Sequence, residues 1–336
     1  MRSVILLIAI YCGVLVPSAG LINYVNRKFA ADLQARVGPN RAGPAGAFQP
    51  IADFLKAIQK QLDPKSLTLW EFTLFWIQSV ALYSTIAILP MGSLILTVDA
   101  DMGVFLSLWA AFAIALMSLF LGLEQGTVPA WLSAVRLSVQ AVSGAFPAIL
   151  ALFCAGMQAG GLRWSQLIAA QGASPFSWMI CRNPFEWLAF LVFVVSGLVL
   201  FSVAPMDSGL SRPDILGGIS TPLLGRRLAL FNFGRFYGFF LWCAIASALF
   251  LGGWSIPEGV RDSLMDSGNS TVVVGLELVT VLMKSYLLMI TVNLIAKVNP
   301  RARVDQVTDF SWKVLSPAAL LSVIFCALWI SGRQLW

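Results

Sequence analysis

The residues able to do chemistry are few and stand out against an apolar background. The stretch "QARVGPNRAGPAGAFQPIADFLKAIQK", residues 34–60, holds three prolines, three glycines and four Lys/Arg between two apolar segments. Gly38-Pro39-Asn40 and Gly43-Pro44 enforce a turn-rich, non-helical loop. Arg36 and Arg41 within it have two readings. They are charges on a rigid connector, or they line a shaped pocket wall and reach a partner or a polar headgroup. Asp53 and Lys56 follow on an amphipathic run. Four further ionisable residues lie in or at the ends of apolar segments: Glu124, Arg235, Glu277 and Lys284. Such groups are costly in a bilayer and commonly functional. A proton relay needs side chains that change charge, which arginine cannot do. The chain contains no histidine, which removes the side chain best suited to titrate near neutrality.

These residues must be positioned by membrane helices. Of 336 residues, 58% are hydrophobic and 11% charged, and the mean hydropathy is +0.82. Soluble domains carry about a quarter charged residues, so the chain reads as an all-α integral membrane protein, a single membrane domain over 1–336. Windows of about 19 residues predict eight spans: 3–22, 72–97, 102–123, 138–159, 186–204, 229–253, 272–296 and 314–332. The first apolar run is too long for a cleavable signal and lacks a small-residue cleavage pattern, so it reads as a retained helix. Fifteen Lys/Arg fall in the odd-numbered loops, against five in the even-numbered loops and tails. That bias puts the first loop, 23–70, in the cytoplasm and both termini on the other side. Ile51, Phe54, Leu55 and Ile58 recur at helical spacing opposite Asp53, Lys56 and Lys60. Segment 49–61 is therefore predicted to be an amphipathic helix at the cytoplasmic interface.

The net charge of +6 fits loops beside anionic lipid and does not point to nucleic acid. Cys12, Cys154, Cys181, Cys243 and Cys326 are scattered without a CxxC pair, so neither a disulfide framework nor an iron–sulfur site is expected. Glu71, Asp99, Asp101 and Glu186 lie at span ends, where acids are most often solvated. Lys284 lies deep in its span and needs a partner. Glu277, two turns away, is a stretched one, so a group on another helix or another polypeptide is expected.

The first loop resembles that of the H-type membrane subunit of bacterial complex I, the counterpart of subunit 1 in mitochondria. Arg36, Gly38, Pro39, Asn40, Gly43, Pro44, Gly46, Gln49, Pro50, Ala52, Asp53 and Lys56 fit the family pattern. "SAVRLSVQAVS" is similar at Arg136, Gln140 and Ser143, and the sixth span at Gly252-Gly253-Trp254. Lys284 falls where the family has a lysine. "PRARVDQVTDFSWKVLSP" is similar at Pro300, Arg301, Arg303, Asp305, Gln306, Trp312, Lys313 and Pro317. The resemblance covers nearly the whole chain. It implies an eight-helix protein that docks the peripheral electron-transfer arm, walls the quinone chamber and begins a charged path for proton pumping. It implies no cofactor bound by the chain itself, with quinone as substrate at the interface between subunits. Arg36, Arg41, Asp53, Lys56, Arg136, Asp207, Asp214, Arg301, Arg303 and Asp305 become the candidate pocket or docking residues. The implied setting is a bacterial inner membrane, or a mitochondrial one.

The departures from the family are mostly lost acids. Asn26, Gln61, Ala145, Leu200 and Arg235 stand where the family has acidic residues, and Val203 replaces an arginine. Gly209-Leu210-Ser211-Arg212 replaces an acidic loop, of which Asp207 and Asp214 remain. An inferred glutamate relay is broken at several points. This leaves a divergent paralogue in a membrane hydrogenase or a CO2-hydrating complex as one alternative. A stand-alone transporter is another, although the repeated halves it would need are not seen.

Overall fold

A computed structural model describes residues 16–60, 92, 99–210, 217–223, 225–266 and 270–334. The second predicted span (72–97, apart from residue 92), the start of the first, Gln61 and Asp214 lie outside the described residues. Those residues form helices joined by turns, with no strand among them. The helices are α1 Val16–Leu33, α2 Gln49–Gln59, α3 Gly103–Glu124, α4 Val128–Ala159, α5 Trp164–Ala169, α6 Met179–Arg182 and α7 Glu186–Leu200. They continue with α8 Gly225–Phe250, α9 Glu258–Asp266, α10 Ser270–Val298, α11 Val304–Phe310 and α12 Ser316–Gln334. Among the described residues, five segments are long and apolar enough to cross a membrane: α3, α4, Arg227–Phe250 in α8, Val272–Val298 in α10 and Val304–Gly332; α7 is apolar but shorter.

Two helices organise the bundle. The buried side of α4 is small, with Ala134, Ala141, Ser143, Gly144, Ala148, Ala151 and Ala155, so α3, α7 and α12 approach its backbone closely. From Tyr237 to Phe250, α8 is buried on every side, and the helix as a whole packs against α1, α2, α3, α7 and α10. A helix apolar all round belongs in such a position. The Trp242 indole lies against Gly197 of α7. It stacks on Phe193 with ring centroids 4.5 Å apart, and its Nε1 donates to the Phe193 carbonyl at 2.9 Å.

Several predicted boundaries are corrected. The first helix continues eleven residues past 22, to Leu33, because "NYVNRKFAADL" contains neither proline nor glycine. Helix α4 starts at Val128, not 138, with Pro129 in its first turn, where a missing N–H costs nothing. Helix α7 stops at Leu200, four residues early, as Ser202 takes a positive φ of 48°. The last helix begins at Val304 and passes through a π-turn, Ser311–Leu315. Pro317 cannot donate to a preceding carbonyl, and the Ser316 hydroxyl donates to the Ser311 carbonyl at 2.8 Å. The expectation of no disulfide is also corrected. Cys154 of α4 and Cys326 of α12 are paired, with Cα atoms 6.2 Å apart. Glu186, expected to be solvated at a span end, is fully buried.

Candidate functional site

A cavity of about 530 Å³ opens between the first loop and the helix ends. Its wall begins on α1, where Asn23, Asn26, Arg27, Ala30 and Ala31 line it. Their spacing is one helical face. Arg36, Val37, Gly38 and Pro39 continue the wall along the loop, and Gln49 adds the start of α2. The opposite side comes from Val203, Ala204 and Asp207 after α7, from Arg235, Phe236 and Phe239 on α8, and from Asn293 and Lys297 on α10.

The loop is held in shape locally. The Tyr24 hydroxyl donates to the Ala45 carbonyl at 2.9 Å. Gly46 has φ +83°, and a Cβ there would overlap the backbone of Pro39. Only glycine meets both conditions cheaply. Arg27 pairs with Asp53 at 2.6 Å, and Gln49 Nε2 donates to the other Asp53 oxygen at 2.9 Å. These contacts clamp α2 to α1.

The segment after α7 is pinned by Gln140. Its Nε2 donates to the Ser208 hydroxyl at 2.6 Å and the Met206 carbonyl at 3.2 Å. Its Oε1 accepts from the Ser202 hydroxyl at 3.0 Å. Arg301 grips Asp207 with both arms of its guanidinium, one at 2.7 Å from Nε and the other through the second carboxylate oxygen. The neighbouring Ala302 N–H donates to the Pro205 carbonyl at 3.0 Å. The "PRARVDQ" stretch thus fixes the one acidic residue among the described lining.

Charge on the wall is lopsided. Among the described lining, Arg27, Arg36, Arg235 and Lys297 face a single acid, Asp207. Arg235 is partly buried, not extended to solvent. It donates to the Ser202 carbonyl at 3.0 Å, and its guanidinium lies 6.0 Å from the Phe236 ring centroid. Three buried polar atoms of the wall have no hydrogen-bond partner among the described residues: Asn26 Oδ1, Arg235 Nε and Asn293 Oδ1. A buried polar atom left so costs about 1–3 kcal/mol and calls for a local explanation such as strain or an enclosed water or ion.

The sequence-predicted residues divide accordingly. Arg36, Asp207 and Arg235 line the cavity, and Asp53 and Arg301 act on it through Arg27 and Asp207. Arg41, Lys56, Arg303 and Asp305 are exposed on the surface, with Arg303 capping α11. Arg136 is partly buried and not part of the lining. Lys284 lies elsewhere: its Nζ donates to the Gly253 carbonyl at 2.9 Å and sits 4.8 Å over the Trp178 ring. Its contacts are therefore on the turns after α8 and before α6, where a group on another helix or polypeptide was expected. Glu277 is buried and Glu124 partly buried, both away from the cavity. Reasoning from sequence missed Asn23, Asn26, Arg27, Gln49, Asn293 and Lys297 as lining residues. The helical spacing of the first three, and the i,i+4 spacing of Asn293 and Lys297, carry the signal once both helices are drawn to their full length.

The architecture is that of a polytopic membrane protein whose polar cavity sits at the end of an apolar bundle. A family model described as "NADH dehydrogenase" matches residues 5–327. The H subunit of NADH-quinone oxidoreductase from Chlorobaculum tepidum is 32% identical over 315 residues, 91% of this chain and 86% of the relative. That of Chlorobaculum parvum is similar to the same extent. The chain belongs to the family of these H subunits, membrane components of NADH-quinone oxidoreductase, or complex I.

Proposed function

We propose that this chain walls a quinone chamber and docks the peripheral electron-transfer arm. The observation that carries the reading is the cavity itself, walled by the turn-rich loop and the "PRARVDQ" stretch, with three wall atoms unpartnered among the described residues. In this reading the chain crosses the membrane eight times with both termini on the non-cytoplasmic side. Helix α2 lies at the cytoplasmic interface, with Ile51, Phe54 and Leu55 exposed for contact with lipid or a neighbouring subunit. Arg36 steers the quinone head, Arg27 and Asp53 hold the wall, and Asp207 with Arg301 closes it. Exposed Arg41, Lys56, Arg303 and Asp305 meet acidic and basic groups of the peripheral subunits. The chain carries no redox group of its own; quinone is the substrate at the interface. The proposed home is a bacterial inner membrane.

The test is Arg36→Ala in the assembled complex. Quinone-linked turnover is expected to fall about tenfold or more, the scale of a lost positioning contact, with the amount of assembled complex unchanged. Full activity per assembled complex would remove Arg36 from the pocket.

Proton coupling through this chamber is, in the same reading, lost. Arg235 stands where the resemblance implies a glutamate, and the remaining acid of the described lining, Asp207, is ion-paired. Arg235→Glu alone is expected to leave proton flux in reconstituted vesicles unchanged, because Asn26, Ala145 and Leu200 also cannot titrate. A rise in protons moved per electron pair in that single variant would show that the rest of the path is intact.

A further inference from the structure

A second cluster of reactive side chains lies away from the cavity, where α4, α7 and α12 meet. Cys154, Glu186 and Cys326 are each fully buried, and their donor atoms lie within 4.8 Å of one another. Each comes from a different helix, and the two cysteines are 172 residues apart in sequence. Asn183, also fully buried, donates from Nδ2 to Cys326 Sγ at 3.4 Å. Its Oδ1 accepts from the Phe185 N–H at 3.1 Å, which fixes the amide's orientation.

The informative member is Glu186. Both carboxylate oxygens are buried, and neither has a hydrogen-bond partner among the described residues. A carboxyl group so placed either takes up a proton or keeps its charge beside a cation. A disulfide supplies neither a donor nor a positive charge, so the cysteine pair alone gives the carboxylate no role. A divalent cation held between the two sulfurs and the carboxylate supplies one.

We propose that the reduced Cys154–Cys326 pair and Glu186 form a binding site for a thiophilic divalent cation, with Zn²⁺ the best match. Thiolate with carboxylate suits a borderline-soft ion with tetrahedral preference, and three protein ligands leave one position open. The balance is simple. A thiol or phosphine reductant supplies two electrons, and two protons are taken up, to open the disulfide to two thiols. Metal binding then displaces both thiol protons, leaving two thiolates, one carboxylate and M²⁺ with a net charge of −1. The Asn183 N–H directed at Cys326 stabilises that sulfur as a thiolate. The bound ion would tie α4, α7 and α12 together at one point.

The full chain in detergent, reduced with a phosphine and stripped of metal, is titrated anaerobically with Co²⁺. One equivalent is expected to raise a sulfur-to-cobalt charge-transfer absorption, which Zn²⁺ then abolishes. Cys154→Ser should lose the band, and Cys243→Ser, a buried cysteine outside the cluster, should keep it. Glu186→Gln retains shape without charge and should weaken Co²⁺ binding by about tenfold or more, the range seen when a metal site loses a supporting group. The proposal fails if the reduced wild-type chain shows no band, if the band survives Cys154→Ser, or if Glu186→Gln binds as tightly as wild type. The last comparison decides the matter should Cys154→Ser not fold.

Discussion

Arg301→Ala is expected to lower quinone-linked turnover of the assembled complex by about tenfold to a hundredfold, because displacing a positioned wall by about an ångström has that effect. Arg301 holds Asp207 by two hydrogen bonds at once, and Asp207 is part of the cavity lining. Removing the guanidinium takes its ion pair from the carboxylate beside the cavity and releases the 203–208 segment from one of its anchors. The others, Gln140 and the Ala302 N–H on the Pro205 carbonyl, remain. Arg301→Lys keeps the charge but cannot form the two-armed contact, so it should recover only part of the loss. A double variant, Arg301→Ala with Asp207→Ala, should be no worse than Arg301→Ala alone, since the stranded charge is gone. Turnover per assembled complex measures all three. Independent, additive losses would mean that the two residues act separately.

Gly197→Val is expected to give the largest loss of stability. A side chain there would overlap the Trp242 indole, which is already fixed by its stack on Phe193 and its bond to the Phe193 carbonyl. Overpacking a filled core costs about 1–3 kcal/mol or more, and α8 is enclosed on all sides here, so it has nowhere to retreat. The thermal inactivation temperature of the purified complex should fall, with less chain recovered. Gly275→Val is the control: among the described residues nothing lies within 4 Å of the added atom, and it should behave like wild type. Equal stability of the two variants would show that the α7–α8 contact is looser than described.

Apolar length and turn residues made much of this legible from sequence. The helix expected over 49–61 forms at Gln49–Gln59, because Pro50 marks its start and the apolar spacing is unambiguous. The spans over 102–123 and 272–296 lie within one or two residues of α3 and α10. What escaped were polar continuations of apolar helices. Hydropathy ends a span where the side chains turn polar, whereas hydrogen bonding ends a helix at Leu33 or begins one at Val128. The lining residues Asn23, Asn26 and Arg27 fell in that gap. Glu186 escaped for the converse reason: its place in sequence, at a span end, says nothing of α4 and α12, which bring Cys154 and Cys326 within 4.8 Å of its carboxylate.

The continuity of α1 also has a mechanical meaning. Val16–Leu33 is one uninterrupted rod, and Asn23, Asn26 and Arg27 are fixed to it with no joint between. Since a helix rises 1.5 Å per residue, Arg27 stands about 16 Å along the rod from Val16, and a tilt of about 5° at that end would carry it roughly 1.4 Å. The cavity wall and the Val16 end of α1 are therefore a single lever. A displacement of that end, far from the cavity, is carried directly into its width.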